Sequence, residues 1–261
     1  MTATTALFSG RKMSCGQDTA ATVAASSPTA AISIPRARND RKDGCRVFVP
    51  NMYRQPDSGW LADLIRRNPL ALLVTSGTQA TGPFATHLPA IRDPSTMDEQ
   101  WAPNLAGATL LGHLNRANPH WSALRTGDVA LLTFTGPHAY VSPTVYRMTP
   151  AAPTWNFTAV HVRGVVELLP DGEETMHVVQ STVRAFEAEF GADWDMTDSV
   201  EYFHKLLPAV GAFRLTVTHA DGMFKLSQEQ KPEIRERVRQ SFSERECGRH
   251  RDTAELMSRL P

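Results

Sequence analysis

The chain has 261 residues, 41% hydrophobic and 21% charged, enough for one sizeable core or two small domains. Its 27 basic residues balance its 27 acidic ones, so composition gives no support to a nonspecific nucleic-acid surface, which shows as a basic excess. Three scattered cysteines, Cys15, Cys45 and Cys247, lack C-x-x-C spacing; they speak against a disulfide framework or a zinc knuckle and fit a reducing cytoplasm, and without a run of about 18 apolar residues no segment is expected to span a membrane.

Residues 1–45 are rich in Ala, Ser, Thr and Arg and show no hydrophobic period. They read as a disordered, dispensable tail, or as translation from a start upstream of the functional one. Basic residues with few acids also suit an organellar transit peptide, whereas a secretory signal needs a continuous apolar run that AATVAASSPTAAISIP does not supply. The domain proper is expected over residues 46–237, with a charged helix or tail over 238–261.

From Val47 onward the elements can be taken in order. Asp57 or Ser58 caps a helix with apolar Trp60, Leu61, Leu64 and Ile65 at helical spacing, stopped by Asn68-Pro69. LALLVTS and PFATHLPAI read as a hairpin, Asp93 to Asn104 as a polar loop, and ATLLGHL as a third strand. ANPHW opens a short helix or turn. DVALLTFTG and AYVSPTVY read as strands four and five, broken at Gly136-Pro137, and NFTAVHVRGVVELL as a long sixth. The pattern predicts a mainly β domain with flanking helices (α+β), a small six-stranded antiparallel barrel.

Period then changes. Met176, Val179, Val183 and Phe186 recur at helical spacing, and SVEYFHKLLPAV is a second amphipathic helix ended by Pro208. GAFRLTVTHADGMFKLSQ reads as a strand, an Asp-Gly turn and a second strand. KPEIRERVRQSFSERE, densely and oppositely charged, reads as a solvated helix, followed by frayed residues.

Chemistry concentrates between Leu110 and Gly164. His113, His120, His138 and His161 fall among Trp121, Trp155, Tyr140 and Tyr146 at strand ends, a grouping that suits a flat, π-rich ligand or a metal centre. Dinucleotide, P-loop, nucleophile-elbow and zincin motifs are absent from the sequence.

The series ATHLP, LLGHLNRANPHW, TGPHAYVSPTVY, PTWNFTAVHVRG and GMFKLSQEQ resembles, in order and spacing, the PaiB-type proteins of the flavin-binding split-barrel superfamily. That resemblance covers roughly 47–237 and implies a six-stranded split β-barrel, a homodimer and a cofactor pocket at or near the dimer interface. The wording TVYRMTPAAPTWNFTAVHVRGVVE, WDMTDSVEYF and PAVGAFRLTV further resembles the piperazate synthases, PaiB-like proteins that use haem in place of flavin. The implied reaction is intramolecular N–N bond formation, in which N5-hydroxy-L-ornithine loses water and closes to L-piperazic acid in natural-product biosynthesis. An FMN-binding oxidoreductase and a PaiB-type transcriptional regulator are the alternatives; the second lacks a helix-turn-helix signal, and neither nucleic acid nor membrane is an expected partner.

Under this reading haem b is the expected cofactor, with FMN the alternative. His113 is the expected axial ligand of the iron, following Gly112, which would let the macrocycle approach the backbone; His87 and His138 are its rivals, with Trp155 and Trp121 as walls. Tyr146 and Lys225 are the candidate proton donors and acceptors. Arg116 and Arg163 are the candidate clamps for the substrate carboxylate. Arg116, Arg125, Ser142 and Lys225 could instead serve a flavin phosphate, so residue types alone leave the cofactor open.

Overall fold

A computed structural model of the chain describes residues 47–54, 57–78, 80–96, 102, 104–192 and 194–260. The expectation for residues 1–45 and much of that for the 93–104 loop lie outside them. Six strands, β1 (Leu70–Thr75), β2 (Phe84–Arg92), β3 (Thr109–Asn115), β4 (Val129–Val141), β5 (Thr154–Leu168) and β6 (Val210–Lys225), form a closed antiparallel barrel in the order β1-β2-β3-β6-β5-β4. Each strand alternates. Leu73, Leu132, Phe134, Val160, Val162 and Leu215 point inward and are fully buried. Each such side chain contributes about 1.5–3 kcal/mol on removal from water.

Helices finish the barrel. In α1 (Ser58–Arg67), capped as expected by the Asp57 carboxylate on the Gly59 amide, Leu61, Leu64 and Ile65 pack into one mouth. At the other, α2 (Pro119–Ala123) inserts His120, whose ring nitrogens lie 2.8 Å from Thr75 Oγ1 and 2.9 Å from Thr86 Oγ1. Outside, α4 (Glu173–Phe190) covers β2, β3 and the start of β6, with Val178 packed in one apolar cluster with Ile91, Leu111, Leu169 and Ala212. Its buried face is Thr175, Met176, Val178, Ser181 and Thr182, so the expected Val179 and Val183 lie only at its margin. A short α5 (Val200–Leu206) precedes β6.

Four readings of the sequence are corrected. Gly136-Pro137 does not divide two strands: β4 runs through it as a bulge between Thr135 and His138, where a proline needs no ladder donor. The SPTVY stretch is then not strand but helix, α3 (Pro143–Tyr146), with the Ser142 hydroxyl accepting from the Thr144 amide. Asp221-Gly222 likewise makes no turn. β6 is continuous through it, because Gly222 faces inward where a Cβ would stand 2.9 Å from the Phe224 ring and 3.1 Å from Leu61. Finally, α6 (Pro232–Ser243) and α7 (Gly248–Ser258) are neither merely solvated nor frayed: Val238, Phe242, Ala254 and Met257 are buried in the main core. The Asn156 amide donates to the Met257 sulfur at 3.5 Å, fastening α7 to the barrel.

Candidate functional site

What the helices leave uncovered locates the candidate site. The outward residues of β1, β4, β5 and the adjoining halves of β2 and β6 form one open sheet face, with Leu70 65%, Val129 66% and Trp155 52% exposed. A free apolar face of this kind marks a binding surface. Pairing sets its centre: His87 lies beside Leu72, Leu72 beside Thr133, Thr133 beside His161 and His161 beside Asp221. The two imidazoles are thus on one row, three strand spacings or about 14 Å apart. His87 is an exposed residue, and its imidazole makes no hydrogen bond to another described residue.

One end of this face is aromatic and protic. Tyr140 pairs with Trp155, and His138 and Lys225 both pair with Phe157. His138 tilts against Trp155 at 6.0 Å between ring centres, its Nδ1 lying 3.2 Å from the Gly136 carbonyl oxygen. The Lys225 ammonium donates to Thr154 Oγ1 and stands 5.9 Å from the Tyr53 ring centre. Tyr53 donates its hydroxyl to Glu229 at 3.1 Å. Burial and the neighbouring Glu229 carboxylate push the Tyr53 phenol well above its ordinary range and raise that of Tyr146.

At its β6 edge the central row carries the buried Asp221. Its carboxylate accepts from the Val47 amide at 3.3 Å, lies 3.1 Å from His219 Nε2 and sits 3.9 Å from Arg163 Nη1. The Asn104 side-chain oxygen takes the Ala106 amide, so its nitrogen donates to His219 Nδ1, leaving the His219 proton on Nε2 to face Asp221. Burial, then Arg163, keeps His161 neutral against the opposing pull of Asp221. Arg163 also borders a cavity of about 210 Å³ with Val74, Val129 and Leu131.

The sequence candidates divide between this face and the rest of the barrel. His87, His138, Trp155, Arg163 and Lys225 lie on it, and Tyr146 is buried beneath its aromatic end. His113 does not. It pairs with Ala212 on the arc that α4 covers, its Nδ1 buried without a partner and its imidazole driven toward the neutral form by desolvation. Gly112 faces the interior, where a Cβ would stand 2.5 Å from the Phe213 ring, so its smallness admits that ring and not a macrocycle. Arg116 is also committed elsewhere: it pairs with Asp171, donates to the Val210 carbonyl at 2.8 Å and lies over Trp121, which packs against Gly211.

A family model described as "Putative FMN-binding domain" matches residues 47–219, well over half of the chain. The chain belongs to this FMN-binding domain family. Among its relatives, the protein AN0679 of Emericella nidulans is 29% identical over 70% of this chain and 85% of its own length. The "Protease synthase and sporulation protein PAI 2" of Bacillus subtilis is 26% identical over 81% of this chain and 96% of its own. The flavocytochrome Anf3 of Azotobacter vinelandii, 16% identical, superposes over 74% of this chain and 78% of its own with a TM-score of 0.49.

Within the FMN-binding family's span lie His87, His138, Trp155, His161 and Arg163; Asp221, Lys225, Glu229 and helices α6 and α7 follow it. Sequence reasoning missed Tyr53, Asp221, His219 and Glu229. Asp221 was visible but hidden inside an Asp-Gly turn signal, and Tyr53 stands outside the histidine-rich stretch. The donor set fits a flat prosthetic group: imidazoles, aliphatic strand residues and aromatic walls share one sheet face. It fits a flavin phosphate less well, because the face's two strand cations are held apart: Arg163 leans to Asp221, Lys225 is bonded to Thr154, and their backbones are six residues apart along the ladder, about 20 Å.

Proposed function

We propose that the chain is a haem-dependent cyclase that closes N5-hydroxy-L-ornithine to L-piperazic acid with loss of water. The observation carrying this reading is the unbonded, exposed His87 imidazole at the centre of an uncovered apolar sheet face, with protic groups at its end. His87, rather than His113, would hold the haem, since it is exposed on the open face while α4 covers the arc that carries His113. Haem, when bound, supplies a Lewis acid that weakens the substrate's N–O bond.

The chain's own residues do the rest. Both substrate nitrogens are nucleophiles, so the N5–O bond must break as the bond from the α-nitrogen to N5 forms. The hydroxyl leaves with a proton as water and the α-amine gives up a proton, so no external oxidant or reductant is consumed. Arg163, oriented by Asp221, clamps the carboxylate. Neutral His161, two residues away on the same face, accepts the amine proton. Lys225 and Tyr146 supply the proton for the departing hydroxyl.

Distance makes this a two-chain site. Arg163 and Lys225 of one chain are rooted about 20 Å apart on the ladder, the first leaning to Asp221 and the second bonded to Thr154, a separation that a five-carbon amino acid does not span. An isologous homodimer that buries the open face sets the Arg163 end of one protomer against the Lys225 end of the other, giving two equivalent pockets. Protein reconstituted separately with haem and with FMN tests the reading. Haem-loaded protein, with a band near about 400 nm, should convert the hydroxylamine; flavin bands near about 370 and 450 nm with no piperazic acid in either preparation would favour a flavin oxidoreductase.

A further inference from the structure

We propose that the cleft between α3 and α6 is a binding site for a small oxyanion, a phosphate or carboxylate group, gripped by Arg147 and Arg237. The cleft holds about 250 Å³ and lies off the open face, between the C-terminal end of α3 and the middle of α6. Two guanidinium groups line it, and neither has a carboxylate within ion-pair distance among the described residues. Arg66, Arg116 and Arg214, by contrast, are each paired with an acid. Arg237 spends one terminal nitrogen on the Tyr146 carbonyl at 2.9 Å, while its Nε is buried and has no partner.

That Nε is closed to solvent, but the other terminal nitrogen of Arg237 makes no hydrogen bond to a described residue, so the cleft keeps a free guanidinium donor beside Arg147. The remaining lining is polar: the Thr144 and Ser241 hydroxyls can donate to oxygen, the Gln240 amide spends one hydrogen on Glu236 at 3.0 Å and keeps one, and the exposed Glu244 is the one carboxylate among the lining residues. Two cations against one carboxylate leave a net positive cleft, and guanidinium forks match the oxygens of phosphate and carboxylate alike. Arg237, Gln240 and Ser241 belong to α6 and Glu244 follows it, all beyond the span shared with the FMN-binding family.

Calorimetric titration of the full-length protein, in a buffer free of both anions, tests the site with inorganic phosphate in one arm and malonate in the other. Saturable binding of either supports the site, and the tighter arm names the ligand's source. Arg147→Ala, an exposed change that leaves the core intact, should weaken binding about tenfold or more, and Arg237→Gln should weaken it as well. Glu244→Gln should tighten it by removing the opposing charge, an outcome that misfolding cannot imitate. Unsaturable heats in both arms, or equal affinities for wild type, Arg147→Ala and Glu244→Gln, would overturn the proposal.

Discussion

His87 and His113 share a residue type and differ in cover. One is exposed on the open face, and the other lies on the arc sealed by α4. The sequence displays both histidines in strand patterns, yet strand alternation alone says only which face of its own strand each occupies; which arc a helix then covers is a tertiary fact. On this basis haem-reconstituted His87→Ala should lose its Soret band while His113→Ala keeps it, and the opposite pattern would return the axial role to His113. Buried imidazoles also set a pH dependence. Burial depresses the pKa of His113, His120 and His161. Their contribution to stability is present above the unfolded value of about 6.5 and is lost as pH falls through it, because the unfolded chain then binds protons that the fold refuses. The melting temperature should therefore be lower at about pH 5.5 than at about pH 7.5, by roughly 2–4 °C for each kcal/mol lost. His113→Leu should narrow that difference in paired thermal melts; an unchanged gap would mean that His113 titrates freely in the fold.

At the scale of elements, the hairpin, the capped α1, β3, α2 and the long β5 were legible, since local signals and packing agree there. Where they disagreed, packing won. Asp-Gly signals a turn, but Gly222 is held in a ladder by Leu61 and Phe224, and Gly-Pro signals a break that β4 absorbs as a bulge. Charge density marked α6 as a solvated helix, while two apolar residues, Val238 and Phe242, suffice to anchor it. Gly112 tests the interior packing directly. Gly112→Ala should destabilise the protein by about 1–3 kcal/mol in urea unfolding through overpacking against Phe213, and Phe213→Leu should recover part of that loss in the double variant. A Gly112→Ala protein as stable as wild type would show that the Phe213 ring has another place to go.

For the whole molecule, a six-stranded antiparallel barrel was expected and is present, but by another count: the sequence signals split β4 in two and set β6 apart as a hairpin, and assembly of the site was not legible, since ladder distances exist only once the barrel closes. Those distances make a sharp test of the two-chain pocket. Arg163→Ala and Lys225→Met should each abolish turnover while retaining haem, and mixing the two inactive proteins after dissociation should restore about a quarter of wild-type activity, since half of the randomly reformed dimers carry one intact pocket. No recovery would place both residues' roles within one chain or outside the reaction. Among the described residues no helix is long and apolar enough to cross a membrane. The central claim, formation of an N–N bond, is reached most directly by supplying haem-loaded protein with N5-hydroxy-L-ornithine labelled with nitrogen-15 at both amine positions. The account predicts a product lighter by one water whose nitrogen spectrum shows direct coupling between the two labels; unchanged substrate, or a product without that coupling, would contradict it.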